Sequence, residues 1–417
     1  MTSFLLYFLF LGPGPLHPSF TMGHNHFAFK LLNTLSDQEG PKKNIAISPL
    51  GVYFSIGMLY NAADHDTRDS IAGVLGTADF GEENLNKLCQ DLMRALSQQD
   101  DRSQLVLANS IWSNKRRGIP QAAYENICES FFYSPIHTVN FGQKGVLQQM
   151  NKWADQSTHH SVQNIVGSID MKDHLYLVNA TSFRSDWVSP FDVNGTKEDV
   201  FQLSGGRARS CLFMKKEMVA KVYTDTAFTM VGLPYGNGSA FSLYIVVPDD
   251  PDITMRDFLA GFGENRLYDA IGRMNDQWVD LSMPRFEYSY SPGDMKEVFR
   301  KMGMGIVLND YGNADLSKFL AGSAGKRGMI IGDLLGGKGR SGQFSLSRAL
   351  YKTAVAVNEK GMLAGDPMSG PSDSTGFLIR RHRTETIHVD RPFFYAIISR
   401  QQKAIVIAGV VNDPGRN

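Results

Sequence analysis

From residue 27 to residue 35, apolar side chains fall at 27, 28, 31, 32 and 35, the spacing that lines one face of a helix. Residues 44–49 then read as a short strand, and Val52, Ile56, Leu59 and Tyr60 give a second helical stripe. Asp66 or Thr67 offers an oxygen acceptor to the free amides of a third helix's first turn. Residues 104–112 have strand character, while Ala122–Phe132 and residues 146–153 return to helical spacing. Helices therefore dominate the first 170 residues.

Beyond them the texture changes. Residues 175–183, 219–223, 228–233, 241–247, 278–286, 353–357, 393–398 and 405–411 are rich in β-branched and aromatic side chains, the composition of strands. Early helices and late strands, without regular alternation, predict an α+β chain rather than a doubly wound parallel sheet. No repeat is visible at periods of 20 to 50 residues. Residues 321–342, with eight glycines, and residues 361–386, rich in Gly, Ser, Pro, Asp and Arg, are expected to be exposed loops.

Charge adds little to this picture. The 417 residues carry 42 Lys and Arg against 42 Asp and Glu, so no global field favours a nucleic-acid backbone or an anionic membrane as partner. Cys89, Cys128 and Cys211 are odd in number and widely spaced, which supports neither a disulfide framework nor a zinc site. The apolar run at residues 4–11 is too short to span a bilayer. Its length suits the core of a signal peptide, yet no Lys or Arg precedes it and no small-residue cleavage site follows. Residues 1–20 are expected to be a signal peptide or a disordered N-terminus, which leaves secretion and a cytoplasmic location both open.

Enzyme chemistry finds no foothold. His24-Asn25-His26, Asp64-His65-Asp66 and His159-His160 contain metal-ligand residue types without ligand spacing, and solvated loop positions are the simpler reading. The Gly322–Arg327 stretch lacks the spacing of a phosphate loop, and no GxSxG nucleophile elbow is present. Asn179, Asn194 and Asn237 head glycosylation triplets; Asn179 falls in an apolar strand, so Asn194 and Asn237 are the expected acceptors if the chain is secreted.

A series of motifs in order carries a family resemblance: NIAISPL at 44–50, Thr67-Arg68, Ala108-Asn109, Phe141, and Asn151-Lys152-Trp153. VNATSF follows at 178–183, then Trp187, Pro190-Phe191, Thr196, Phe201, Leu233-Pro234-Tyr235, Pro248, MPRF at 283–286, Gly303 and ADLS at 314–317. The series closes with VNEKG at 357–361, DRPFF at 390–394, Gly409 and NDP at 412–414. From about residue 25 to residue 414 the chain resembles the serpins. The resemblance implies one monomeric domain over residues 21–417, with about three sheets, eight or nine helices, a glycine-rich insertion at 321–342 and an exposed reactive loop at 361–386. It implies an inhibitor of serine-type endopeptidases, trypsin-like ones among the candidates, that needs no cofactor and catalyses nothing. The protease cleaves the loop and is trapped as an acyl-enzyme when the loop inserts as a new strand of the large sheet, a release of stored strain.

Carried over residue by residue, Glu359, Lys360 and Gly361 form the start of the loop hinge, and Trp187, Arg285 and Glu359 surround its point of insertion. An Arg285–Glu359 ion pair is expected there, worth about 0–1 kcal/mol if it lies on the surface. Ser48 and Asn179 match the polar cluster that lets the central strands part. Gly51 stands where the family usually has Ser, and Tyr351 where it has His; the Tyr351 hydroxyl is expected to meet Asn179.

The hinge itself departs from the family's small residues. Alternation places Met362, Ala364, Asp366 and Met368 inward. Burying the Asp366 carboxylate without partners opposes insertion, and so does Pro367, which lacks the amide a central strand needs. The alternative reading is thus a non-inhibitory serpin acting as a carrier, storage or scaffold protein. Counting forward from Gly361 puts the scissile bond at Thr375-Gly376, and counting back from Pro392 puts it at Arg381-His382, with Arg380, Arg381 and Arg383 a trypsin-like target. Lys326, Arg327, Lys338 and Arg340 are a weak candidate for contact with a polyanion.

Overall fold

The computed structural model describes residues 18–78, 80–97, 102–237, 240–309, 312–321, 344–362 and 384–415. Helix α1 (Pro18–Glu39) leads into strand β1 (Ile45–Ile47) and helix α2 (Pro49–Ala62). The α2 sequence is apolar all round, so every one of its residues is buried, and it starts at Pro49 with the Ser48 hydroxyl accepting from the Gly51 amide. Helices α3 (His65–Leu75) and α4 (Gly81–Ser97) follow. The cap position of α3 falls on Asp64, not on the expected Asp66 or Thr67, because the Thr67 hydroxyl instead accepts the Asp315 amide at 2.9 Å.

Strand β2 (Ser103–Asn114), helix α5 (Ala122–Phe132), strand β3 (Ile136–Val139), helix α6 (Val146–Ser157) and strand β4 (Leu175–Asp186) complete the first half. The second half is strand-rich: β5 (Lys197–Leu203), β6 (Arg207–Thr224), β7 (Phe228–Tyr235), β8 (Phe241–Pro248), β9 (Asn275–Pro284) and β10 (Phe286–Tyr290), with helices α7 (Met255–Gly261) and α8 (Glu264–Arg273) before β9. Helix α9 (Lys296–Met302), β11 (Leu346–Val357), β12 (Gly361–Met362), β13 (Glu385–His388), β14 (Phe393–Ser399) and β15 (Ala404–Val411) end the described chain.

The expected α+β class holds, with nine α-helices among the described residues. The expected three sheets are two continuous hydrogen-bonded ones. The 18-residue β6 pairs with β5 over residues 207–213, with β9 over 213–222 and with β7 over 221–224, and so joins what would be separate sheets into one of nine strands. The other sheet has six strands in the order β10-β11-β12-β4-β2-β3. One face of it, with Phe183, Tyr351, Val355 and Val357, packs on the main core; the other, with Val178, Ala180, Leu350 and Ala354, packs under α6.

Two further expectations fail. His24 and Asn25 are not solvated: both are buried on α1, where His24 Nε2 meets the Ile405 carbonyl at 3.0 Å and Asn25 bonds the Lys403 carbonyl and Ile405 amide. The start of β15 presents polar backbone groups to α1, and these two side chains satisfy them. The segment 361–386 is not loop throughout either. Gly361 and Met362 are buried in β12, and Glu385 and Thr386 pair with β9 in β13.

Candidate functional site

The six-stranded sheet has a break in its regularity where β11 and β4 meet. They pair in parallel from Leu346 to Ala354 on β11 and from Leu175 to Ser182 on β4. Beyond that point they diverge, and β12 fills the gap, antiparallel to both, with Met362 opposite Val357 and Ser185. Gly361 has a φ of +156°, and a Cβ on it would run into the Ser185 carbonyl oxygen, so glycine is required for the chain to turn into the gap.

A dense set of bonds fixes this turn. The Asn358 amide donates to the Gly361 carbonyl at 2.9 Å, and the Asn358 side-chain oxygen accepts from the Lys360 and Gly361 amides at 2.9 and 3.2 Å. Trp187 donates from its indole to the Asn358 carbonyl and from its backbone to the Lys360 carbonyl, both at 2.8 Å, while its ring stacks on Tyr235. The Phe191 amide donates to the Glu359 carbonyl at 2.9 Å.

Glu359 is the charged centre of the turn. Its side chain is 5% exposed, Thr196 donates its hydroxyl to Oε1 at 2.6 Å, and Arg285 Nε lies 3.6 Å from Oε2. The ion pair is therefore not a surface one: a buried acid faces a half-exposed guanidinium. Thr196 belonged to the family series in the sequence, but nothing in its spacing showed that it holds Glu359. Asn358 was likewise legible only as part of a motif.

Lower in the sheet, Asn179 is buried on β4, with Nδ2 donating to Asn109 Oδ1 at 2.9 Å and Oδ1 accepting from the Thr181 hydroxyl at 3.1 Å. Tyr351 stands directly opposite Asn179 in register. Its hydroxyl does not meet Asn179. It instead bonds Ser55 on α2, and burial keeps it protonated by pushing its pKa up. Gly51 packs against the same amide: a Cβ there would lie 2.5 Å from Asn179 Nδ2, so the family's usual Ser has no room in this arrangement. The Thr353 hydroxyl, fully buried two residues along on the same face, has no hydrogen-bond partner.

Ala364, Asp366, Pro367, Thr375, Gly376, Arg380, Arg381, His382, Lys326, Arg327, Lys338 and Arg340 lie outside the described residues. Asn194 and Asn237 are exposed, whereas Asn179 is enclosed in the sheet. Among the described residues no cluster of His, Cys, Asp and Glu could hold a metal ion, and no helix is long and apolar enough to cross a membrane.

A family model described as Serpin (serine protease inhibitor) matches residues 22–414. Iripin-5 of Ixodes ricinus is 26% identical over 401 residues, spanning 94% of this chain and 94% of its own. The plasma serine protease inhibitor of Bos taurus is 25% identical over 404 residues, spanning 94% of this chain and 90% of its own. The crystal structure of the thermophilic serpin tengpin in its native state superposes with a TM-score of 0.81 at 25% identity and covers 95% of each chain.

Proposed function

The chain belongs to the serpin family, and from that premise we propose that it inhibits serine endopeptidases as a single-use substrate. The protease's serine oxygen attacks a carbonyl in the segment 363–383, the peptide C–N bond breaks, and the new amine leaves with the distal fragment. The ester left behind is trapped as the proximal arm continues the strand begun at β12. Thr375-Gly376 is the bond favoured by counting forward from Gly361, because the inserting arm has a fixed length whereas the distal arm is tolerated entropically. Arg380, Arg381 and His382 are the second candidate.

The observation that carries this reading is the position of Met362. It is buried between β11 and β4, paired with both, at the end of a closed parallel ladder that an antiparallel strand could replace. The Trp187, Arg285 and Glu359 cluster acts in this reading as the fixed point from which insertion proceeds. The apolar run at residues 4–11 supports secretion, with Asn194 and Asn237 carrying glycans.

Incubation with trypsin and with an elastase-like protease, followed by denaturing gels, tests the proposal. A complex that survives denaturation is expected, together with a fragment whose mass locates the cut. Cleavage with no complex and no rise in thermal midpoint favours the non-inhibitory reading, which the missing amide of Pro367 supports.

A further inference from the structure

The register of β12 extends to positions beyond it. Met362 lies opposite Val357 and Ser185, and pairing is antiparallel on both sides. Continued in the same register, residue 364 falls between Val355 and Phe183, residue 366 between Thr353 and Thr181, and residue 368 between Tyr351 and Asn179. Met362, Val355, Phe183 and Tyr351 all pack into the main core, so side chains at 364, 366 and 368 would point the same way.

Asp366 thereby meets a particular pair. Thr353 and Thr181 are both fully buried and are directly opposite each other in the closed sheet. Next to them on the same face are the apolar Val355 and Phe183. The Thr353 hydroxyl is without a partner, and the Thr181 hydroxyl donates to Asn179 at 3.1 Å. An unsatisfied buried hydroxyl is costly, and here it lies at the level of Asp366, the one carboxyl among the core-facing positions 364, 366, 368, 370, 372 and 374.

We propose that Thr181 and Thr353 form a carboxyl-binding position inside the six-stranded sheet, filled by Asp366 once the cleaved loop enters; this rests on the insertion reading above. The two hydroxyls flank the carboxyl from opposite strands and donate to its two oxygens, Thr181 by giving up its bond to Asn179. Thr353 gains the partner it lacks in the closed sheet. The residue that looks most hostile to insertion is then matched by the sheet that receives it.

The test is a double-mutant cycle on the full chain. Thr353→Val keeps the shape and removes the hydroxyl; Asp366→Ala removes the carboxyl. Each variant and the wild type are cut with limiting trypsin, fragment mass confirms a cut between residues 375 and 383, and the thermal midpoint is compared before and after. Intact-chain midpoints report whether Thr353→Val folds. The expected result is a rise on cleavage in the wild type, a rise smaller by about 2 °C or more in Thr353→Val, and no effect of Thr353→Val in the Asp366→Ala background. Equal effects in both backgrounds, or a rise in Asp366→Ala with none in the wild type, overturn the carboxyl position while leaving insertion standing. No rise in any variant, Asp366→Ala included, overturns the insertion reading and this inference with it.

Discussion

The buried Glu359 carboxylate and the half-exposed Arg285 guanidinium face each other at 3.6 Å, with the Thr196 hydroxyl holding the other carboxylate oxygen at 2.6 Å. The acid is the member that cannot turn to water, so the two partners are not equivalent. Removing the cation leaves a buried charge with one hydroxyl for company; removing the acid frees an arginine that solvent can reach.

Arg285→Ala is therefore expected to lower stability by about 1–3 kcal/mol, below the cost of breaking a fully buried pair because Arg285 is half exposed. Glu359→Gln keeps a hydrogen-bonding group beside Thr196 and should cost less. Denaturant unfolding of both variants decides the order. Hydrogen exchange at the Gly361 amide, which is held by Asn358, should quicken in Arg285→Ala if the cluster fixes the hinge.

Gly51→Ala should destabilise by about 1–3 kcal/mol, since its Cβ would lie 2.5 Å from Asn179 Nδ2 and the amide is held by Asn109 and Thr181. Gly73→Ala in α3 is the control. Nothing lies within 4 Å of its Cβ, and a helical alanine there should be neutral or gain about 0.5–1 kcal/mol. Equal midpoints for the two variants would remove the crowding at Gly51 from the account.

Burial lowers the His24 pKa to about 4, the bond to the Ile405 carbonyl only partly opposing it. Between that value and 6.5 the unfolded chain binds a proton that the folded chain refuses, so stability is full above about pH 6.5 and falls as pH drops toward 4. The contribution is roughly 3 kcal/mol, and burial lowers His137 and His174 in the same direction. Urea unfolding at pH 7.5 and pH 5 should show the loss, and His24→Gln, which retains a donor for Ile405, should shrink it.

In the insertion reading, Pro367 is the remaining obstacle. The Gly361 carbonyl bonds toward β11 and the Lys360 carbonyl toward β4, so odd-numbered residues of an extended β12 turn their peptide groups to β11. Residue 367 then falls opposite Lys352, whose carbonyl proline cannot satisfy. Pro367→Ala should deepen the stabilisation that follows loop cleavage by about 1–3 kcal/mol. An unchanged gain in the variant would mean that the inserted strand stops short of that residue.

The sequence carried the α+β class, the α5 boundaries and the late strands, because each rests on a dense apolar pattern. Helix α4 was not among the expected elements, although Leu85, Cys89, Leu92 and Leu96 share its buried face at helical spacing. Other elements had no such signal. β13 is an edge strand with one buried side chain, Ile387, and the first part of β6 is polar because most of it faces solvent. At the site, the family series located Glu359, Trp187 and Arg285, but Thr196 acquires its meaning only from the turn that brings its hydroxyl to Glu359, and Thr353 only from strand register. Tyr351 shows why: its position opposite Asn179 was inferable, but its hydroxyl instead bonds a helix nearly 300 residues away in sequence.

The parallel ladder between β4 and β11 also sets a race during folding. Its partners are roughly 170 residues apart along the chain, whereas Met362 reaches Val357 across a turn of a few residues. Local pairing closes faster than distant pairing, so extension of the hairpin would occupy the gap first if nothing held the segment after Met362 back. The closed sheet is then a product of timing. In the insertion reading, Pro367, whose missing amide slows the local competitor, would give β4 the interval it needs to find β11.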